Sequence, residues 1–578
     1  MQLSVKKNIW VSKNKKGLPL INFSSTHNFS EIREKISENF ENLPVPNLEK
    51  IADKILNFDH CIIHGDYDVD GICSSAIIFK TLKKVGISAE IILPNRFGGG
   101  YGINLEETLK KFSERKSQIK NNNAKNLLIT LDCGTNEDEK FLEISKVCKN
   151  FIVIDHHEPD NKNFSGKSFE SFPIEEKPEI IICNPKIKNS FLETENLVTS
   201  GLALKLALII LKKCEIYDAK FFDEIFALSA TGTTCDVAPM KYENWQIVRR
   251  GLKNFRGKNF GLDALIEVSE IDKNEKTSVK NNYGYSILQQ KITNYHLGFV
   301  LGPRINATGR MNSPEKSLEI LLSENFKSAR NLAKFLNNEN EKRQEDTENA
   351  VKKILEDFEI RENQKFIFFG DKTFSRGIVG IVASKMMEKK NLPAFIFEEG
   401  EDFCIGSARS AGQIDLAEIL QKIGDSLISG GGHKKAGGFV FRTENKQKVF
   451  ERLTEEIEKT FVNLPKTLAI DSEIAELNEK NLMRFVESFE NFEPFGFENS
   501  EPIFMIRNAK ILSFSKVGKE KNHLRIKFST KNENEFFGIF FNFPENLKIK
   551  KTMDFAISFK ISEFNNKRKI DFIVEDLR

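Results

Sequence analysis

Residues 58–71 read FDHCIIHGDYDVDG. Cys61-Ile62-Ile63 is an apolar run too short for a helix but long enough for a buried strand. It closes on His64, then Asp66, Asp68 and Asp70 at alternate positions before Gly71. AIIFKTLKKVG (76–86) follows with a helical period, and then AEIILPN (89–95) supplies a second strand run. A strand, a polar turn, a helix and another strand make a βαβ unit. The same rhythm recurs in NLLITLDCG (126–134), NFIVIDHH (150–157), EIIICNP (179–185) and the helix-like GLALKLALIILKKC (201–214). The pattern predicts an α/β fold, a parallel sheet flanked by helices, with its chemistry beyond the carboxyl ends of the strands.

Those ends carry an unusual set of side chains. His64, Asp68 and Asp70 follow the first run, Asp132 the second, and Asp155, His156 and His157 the third. Asp236 lies in SATGTTCDVAP (229–239), a stretch with no secure element. In a parallel sheet three such ends converge on one crevice. Clustered like charges are costly unless divalent cations neutralise them, and one carboxylate can bridge two ions. Oxygen and imidazole donors without thiolate favour Mn²⁺ or Mg²⁺ over structural zinc. Asp132, alone between two ligand groups, is the natural bridge. Asp66-x-Asp68-x-Asp70-Gly71 also matches the opening of a calcium-binding EF-hand loop, but its twelfth position is Ile77 instead of Glu, which argues against that reading. A lone Asp after a strand is more often a turn former; three such ends, two with histidine, are not explained that way.

These residues resemble the DHH phosphoesterase superfamily, named for the motif present here as Asp155-His156-His157. The resemblance implies that His64, Asp68 and Asp132 hold one cation. Asp70, Asp132, His156 and Asp236 would hold the other. His157 would face the scissile phosphate and Asp155 would orient its neighbours. Asp66 has no ligand role in that pattern. Further segments pair arginine with glycine, a combination suited to phosphate: Asn95-Arg96-Phe97, Gly100-Tyr101-Gly102, GPRINATGR (302–310), Arg376-Gly377, GSARS (406–410), and Gly431-Gly432-His433 with Ala436-Gly437-Gly438. In this order, with Glu493-Pro494-Phe495-Gly496 downstream, they resemble the RecJ family across nearly the whole chain, departing at Thr308 and Ser500. That implies a single-stranded-DNA exonuclease working 5′→3′ with two Mn²⁺ or Mg²⁺ ions in repair and recombination. Arg376, Ser407, Arg409 and His433 would bind the 5′ end, and Arg96, Arg304, Asn306 and Arg310 the backbone near the scissile bond. A helicase and a single-strand-binding protein are the implied partners. Other readings are a DHH enzyme for short oligonucleotides or cyclic dinucleotides, a related pyrophosphatase, and a non-catalytic DNA-binding relative.

The expected organisation is an N-terminal cap (1–55), a DHH catalytic domain (56–314), and a solvated connecting helix (315–360). A smaller α/β DHHA1 domain (361–460) and an OB-like β-barrel (461–578) follow. The barrel rests on alternation in HLRIKFS (523–529) and TMDFAISFKIS (552–562). With 578 residues, 40% hydrophobic and 29% charged, the chain has ordinary globular composition and needs several cores. A net charge of +3 neither requires nor excludes nucleic acid. Eight cysteines without a C-x-x-C pair imply buried thiols and no zinc knuckle. The sequence shows no signal-like start and no membrane-length apolar run, so a cytoplasmic monomer is expected.

Overall fold

The computed structural model describes residues 6, 8–13, 20–22, 44–94, 102–118, 126–159, 178–187, 194–271, 278–280, 286–288, 291–309, 314–357, 364–477, 479–518, 520–530, 534–544, 547–564 and 567–578. Two short strands come first, β1 (Ile9–Ser12) and β2 (Leu20–Asn22), then α1 (Leu48–Ile55). The first sheet uses β3 (His60–Gly65), β4 (Ser88–Ile92), β5 (Leu127–Leu131), β6 (Asn150–Ile154) and β7 (Glu179–Cys183). Between and after them lie α2 (Val69–Lys84), α3 (Leu105–Gln118), α4 (Asp138–Ile144), α5 (Thr199–Lys213), α6 (Ala219–Cys235), α7 (Tyr242–Lys253) and α8 (Phe260–Val268).

The strands lie in the order β4-β3-β5-β6-β7, and every pairing is parallel. Successive side chains alternate between faces. Ile63, Ile129, Ile152 and Ile154 join one core with α1, α2, α5 and α6, while Ile62, Leu128, Phe151 and Val153 join a second with Phe112 and Phe141. Burial on both faces explains the continuous apolar runs. The chain leaves β3 toward β4 on one side and reaches β5 on the other. The crevice therefore opens where β3 and β5 end, at the switch in strand order.

A hairpin, β8 (Ser278–Lys280) with β9 (Ser286–Leu288), precedes a π-helical turn at His296–Leu301 and α9 (Gly302–Gly309). The charged tract is not one solvated helix over 315–360. It divides into α10 (Pro314–Leu322) and the 32-residue α11 (Phe326–Asp357). Nor is α11 merely solvated: Ala329, Ala333 and Leu336 enter the first core, and Ala350, Val351 and Ile354 enter that of the next unit. Small and aliphatic residues at helical spacing on an otherwise charged surface are easily passed over in the sequence.

That next unit has β10 (Ile367–Asp371), α12 (Arg376–Lys390), β11 (Ala394–Glu399), β12 (Phe403–Arg409), α13 (Leu416–Lys422), β13 (Ser429–His433), β14 (Ala436–Arg442) and α14 (Lys446–Thr460). Its sheet runs β10-β11-β12-β14-β13, with only β10–β11 parallel. After β15 (Thr467–Ile470), β16 (Ser472–Glu476) and α15 (Glu479–Glu487) come β17 (Phe504–Val517), β18 (His523–Ser529), β19 (Glu535–Phe540), β20 (Thr552–Phe564) and β21 (Lys567–Leu577). Pairings β17–β18–β19–β21–β20 return to β17 and close a five-stranded barrel. Leu524, Ile526, Phe528, Phe555, Ile557 and Phe559 fill it, as their alternation predicts.

The described N-terminal strands are part of the C-terminal sheets instead of a separate cap over 1–55. β1 pairs with β15 and β2 with β16, both parallel. Such long-range pairing leaves no local sequence signal. The buried Asp576 carboxylate fastens this seam, accepting from Lys6 N–H (3.0 Å), Asn8 Nδ2 (2.8 Å) and Trp10 Nε1 (3.3 Å). No helix among the described residues is long and apolar enough to cross a membrane. All eight cysteines are free, and Cys61, Cys133 and Cys183 are buried.

Replacing Asp576 by Ala strips these three donors, and the Leu577 N–H, of their acceptor. The expected cost is about 1–3 kcal/mol in urea unfolding, with faster hydrogen exchange confined to residues 6–13. Unchanged exchange there would show that the seam does not depend on this carboxylate.

Candidate active site

The loop between β3 and α2 is shaped by close backbone approach. A Cβ on Gly71 would lie 2.6 Å from the carbonyl oxygen of Asp66, so only glycine lets α2 start there. Asp68 caps α2, its Oδ1 accepting from Gly71 N–H at 3.0 Å. Asp132 adopts a left-handed backbone, φ 66°, directly after β5, and its N–H donates to Ile154 O at 3.0 Å. Asp tolerates that region better than most residues.

Asp132 is the hub. Its Oδ1 lies 3.2 Å from His156 Nε2, accepts from the Thr199 hydroxyl at 3.0 Å and lies 4.0 Å from His157 Nδ1. Donor atoms of Asp66, Asp68 and Asp132 lie within 4.8 Å of one another, and so do those of Asp132, His156 and His157. Asp236, capping the carboxyl end of α6, reaches His156 at 3.8 Å. Asp70 accepts the Thr199 and Ser200 N–H groups, at 2.8 and 3.0 Å, at the start of α5, whose positive end suits a carboxylate.

The crowding shows in the ionisation. Burial, then the Asp68 charge, pushes Asp66 up to about 8. Burial, then Asp70, pushes Asp236 up to about 7, and Asp70 and Asp132 are likewise raised by burial first. Asp66 is fully buried and its Oδ2 has no hydrogen-bond partner among the described residues. An orphaned carboxylate oxygen among charge-crowded carboxylates is chemistry that a hard divalent cation satisfies.

Asp155 has the opposite character. It accepts His156 N–H (2.7 Å), His157 N–H (3.2 Å), Thr135 N–H (3.0 Å) and His157 Nδ1 (2.8 Å). Burial opposes its charge, but the hydrogen bonds and charge of His157, with the Thr135 bond, together outweigh burial and hold the carboxyl well below its usual range. Burial also opposes charge on His157, yet the Asp155 bond and charge lift it to about 9. His157 is therefore an imidazolium near neutrality in the cation-free chain.

His64, Asp70 and Asp236, all expected as ligands, fall in neither donor group. His64 is fully buried, its Nε2 accepts Asn104 N–H at 2.9 Å, and burial drives it down to about 4. Its remaining nitrogen faces Cys133 Sγ at 3.8 Å. Asp66, set aside on the sequence pattern, belongs to the first group. Spacing could not reveal this, because the side-chain directions follow from the tight turn at Gly71. Sequence reasoning also missed Thr199, Ser200, Thr135 and Asn184, whose Nδ2 donates to His157 O at 2.9 Å and Thr135 Oγ1 at 3.0 Å. The Thr-Ser-Gly opening of an apolar helix was the one available signal for the first two.

Of the arginine–glycine residues, Arg96 and Arg310 lie outside the described residues. Arg304 and the half-buried Asn306 sit on α9, where Arg304 donates to Asn337 Oδ1 (2.9 Å) and Val300 O (2.7 Å). Gly309 lets this helix press on the β3–α2 loop, since a Cβ there would lie 2.8 Å from Tyr67 O. The second unit gathers another group. Arg409 donates to Ser407 Oγ at 2.7 Å, and Gly380 on α12 leaves room for both, a Cβ there coming within 3.2 Å of Arg409. Arg376 opens α12 and pairs with Glu398 at 3.0 Å, and His433 is exposed on the edge strand β13.

Comparison with known proteins matches three domain families in order: the DHH family N-terminal domain over residues 60–233, the DHHA1 domain over 363–459 and the RecJ OB domain over 470–576. The single-stranded-DNA-specific exonuclease RecJ of Bacillus subtilis is 27% identical, the match covering 91% of this chain and 62% of the relative. The protein of that name from Haemophilus influenzae is 28% identical, with 89% and 87% covered. The chain thus spans less than two thirds of the first relative and most of the second. Among solved structures, RecJ of Thermus thermophilus in complex with Mn²⁺ superposes with a TM-score of 0.75 at 24% identity, covering 94% of this chain and 73% of that one.

Asp155→Asn removes the charge that keeps His157 protonated. In cation-free protein the wild-type ring should titrate near 9 by NMR, and in the variant below neutrality. A folded value above the ordinary 6.5 means that His157 contributes stability fully below about pH 6.5 and loses it as pH rises through about 9, while the depressed Asp155 loses its own contribution as pH falls below the usual carboxylate range. A variant ring still titrating near 9 would exclude Asp155 as the cause.

Proposed function

Because this chain belongs to the DHH family and carries its domains in RecJ order, we propose that it is a single-stranded-DNA-specific exonuclease. It releases 5′-mononucleotides in turn from the 5′ end by metal-dependent phosphodiester hydrolysis, in DNA repair and recombination. The observation that carries the reading is Asp132, whose carboxylate lies against Asp66 and Asp68 on one side and His156 on the other.

Asp66, Asp68 and Asp132 are the proposed holders of one divalent cation, Mn²⁺ or Mg²⁺. Asp70, Asp132, His156 and Asp236 are those of the other. His64 is proposed as a support that fixes Asn104. When bound, the cations lower the pKa of water and stabilise charge developing on phosphoryl oxygens. Asp155, bonded to His157 Nδ1 at 2.8 Å, orients that ring to serve a phosphoryl oxygen. Thr199 and the α5 N–H groups keep Asp132 and Asp70 in place before substrate arrives. Arg376 at the α12 start, with Arg409, Ser407 and the exposed His433, is suited to a 5′ phosphate. Arg304 and Asn306, with Arg96 and Arg310, would serve the strand backbone. A helicase and a single-strand-binding protein are proposed partners.

The test incubates 5′-labelled and 3′-labelled single strands, duplex and dinucleotides with Mn²⁺ or Mg²⁺. Mononucleotides should appear first from the 5′ end of single strands; turnover of dinucleotides alone would sink the proposal. Asp132→Ala should lower turnover by at least ~100-fold, as loss of a shared ligand does, and Asp155→Ala by about 10–100-fold. Full activity in Asp132→Ala would overturn the bridging role.

A further inference from the structure

Three segments bonded to one another around the carboxyl end of α6 each expose large apolar side chains. Val237 is 63% exposed, Tyr295 63%, Phe299 72% and Phe497 52%. Tyr295 and Phe299 are themselves stacked, ring centroids 5.2 Å apart and planes at 23°. The turn that presents them is the π-helix His296–Leu301, a form that recurs at functional sites.

This turn is locked to the last turn of α6. The Thr234 hydroxyl donates to Asn294 Oδ1 at 2.6 Å, and Cys235 Sγ donates to Leu297 O at 3.5 Å. A Cβ on Gly298 would lie 3.4 Å from the Thr234 methyl. The two rings are therefore held next to the end of the helix that Asp236 caps. Phe497 is delivered from the loop ahead of the barrel: Asn294 Nδ2 donates to Phe495 O at 2.8 Å, and Met240 N–H donates to Phe497 O at 2.8 Å. Beyond Phe299 the turn continues through Leu301 without a break into α9, which carries Arg304.

Exposed rings stacked on each other offer what a single strand needs for its bases, an outward π-face. We propose that Tyr295 and Phe299 form a base-stacking platform that holds the single strand on the Asp236 side of the site. The inference rests on the reading of the chain as a single-strand nuclease. The stacked, exposed rings, on a turn bonded to the last turn of the helix that Asp236 caps, favour a nucleobase over an aliphatic protein surface as occupant.

The test measures binding of 5′-phosphorylated oligothymidylate to full-length Asp132→Ala protein in Mg²⁺ by fluorescence anisotropy, with an intact strand and with one made of abasic units. Adding Tyr295→Ala or Phe299→Ala should weaken the intact strand ~10-fold and leave the abasic strand unchanged, and Phe299→Trp should restore binding. In the otherwise wild-type enzyme the same changes should raise KM and leave kcat within about twofold. Equal binding of both strands by parent and variants would overturn the platform alone. Unchanged DNA binding, with a concentration-dependent self-association lost in the variants, would overturn it in favour of a protein contact. A parent chain that binds no single strand, and a wild type that degrades none, would bring down the reading of function and this inference with it.

Discussion

Everything about the crevice follows from one unfavourable interaction, the mutual repulsion of carboxylates held out of water. Asp66, Asp70 and Asp132 are almost completely buried and Asp236 stands beside them. Protein groups relieve only part of the cost. The α5 N–H groups serve Asp70, and the Thr199 hydroxyl and the His156 ring serve Asp132. Asp66 Oδ2 is left over among the described residues. A fold that gives up stability in this way keeps the arrangement because a ligand of opposite charge completes it.

The sheet was legible because its strands are buried on both faces and read as unbroken apolar runs, and the barrel because its strands alternate. The positions of Asp132 and His156 followed from strand ends, whereas Asp236, at the end of a helix, was indicated only by the family resemblance. What the sequence did not disclose has particular causes. His64 and Asp66 are two residues apart, yet the turn closed by Gly71 sends one toward Asn104 and the other into the cluster. Thr199 and Asn184 act through single hydrogen bonds that carry no periodicity. β1 and β2 find partners more than four hundred residues later, beyond the reach of any local pattern.

The two α/β units divide the labour by charge. The first collects carboxylates, and the second presents Arg376, Arg409, Ser407 and a glycine-rich hairpin on a mixed sheet. α11 belongs to both cores, so neither unit can turn without carrying that helix with it. As a strut of about 48 Å, at 1.5 Å per residue, the helix sets the separation of the two units.

The pairing of β1 and β2 with β15 and β16 also dictates an order of events during synthesis. Residues 9–22 leave the ribosome long before 467–476 exist. Both α/β units can therefore mature while the leading segment waits with its strand edges unpaired. Only the arrival of β15 and β16 satisfies those edges.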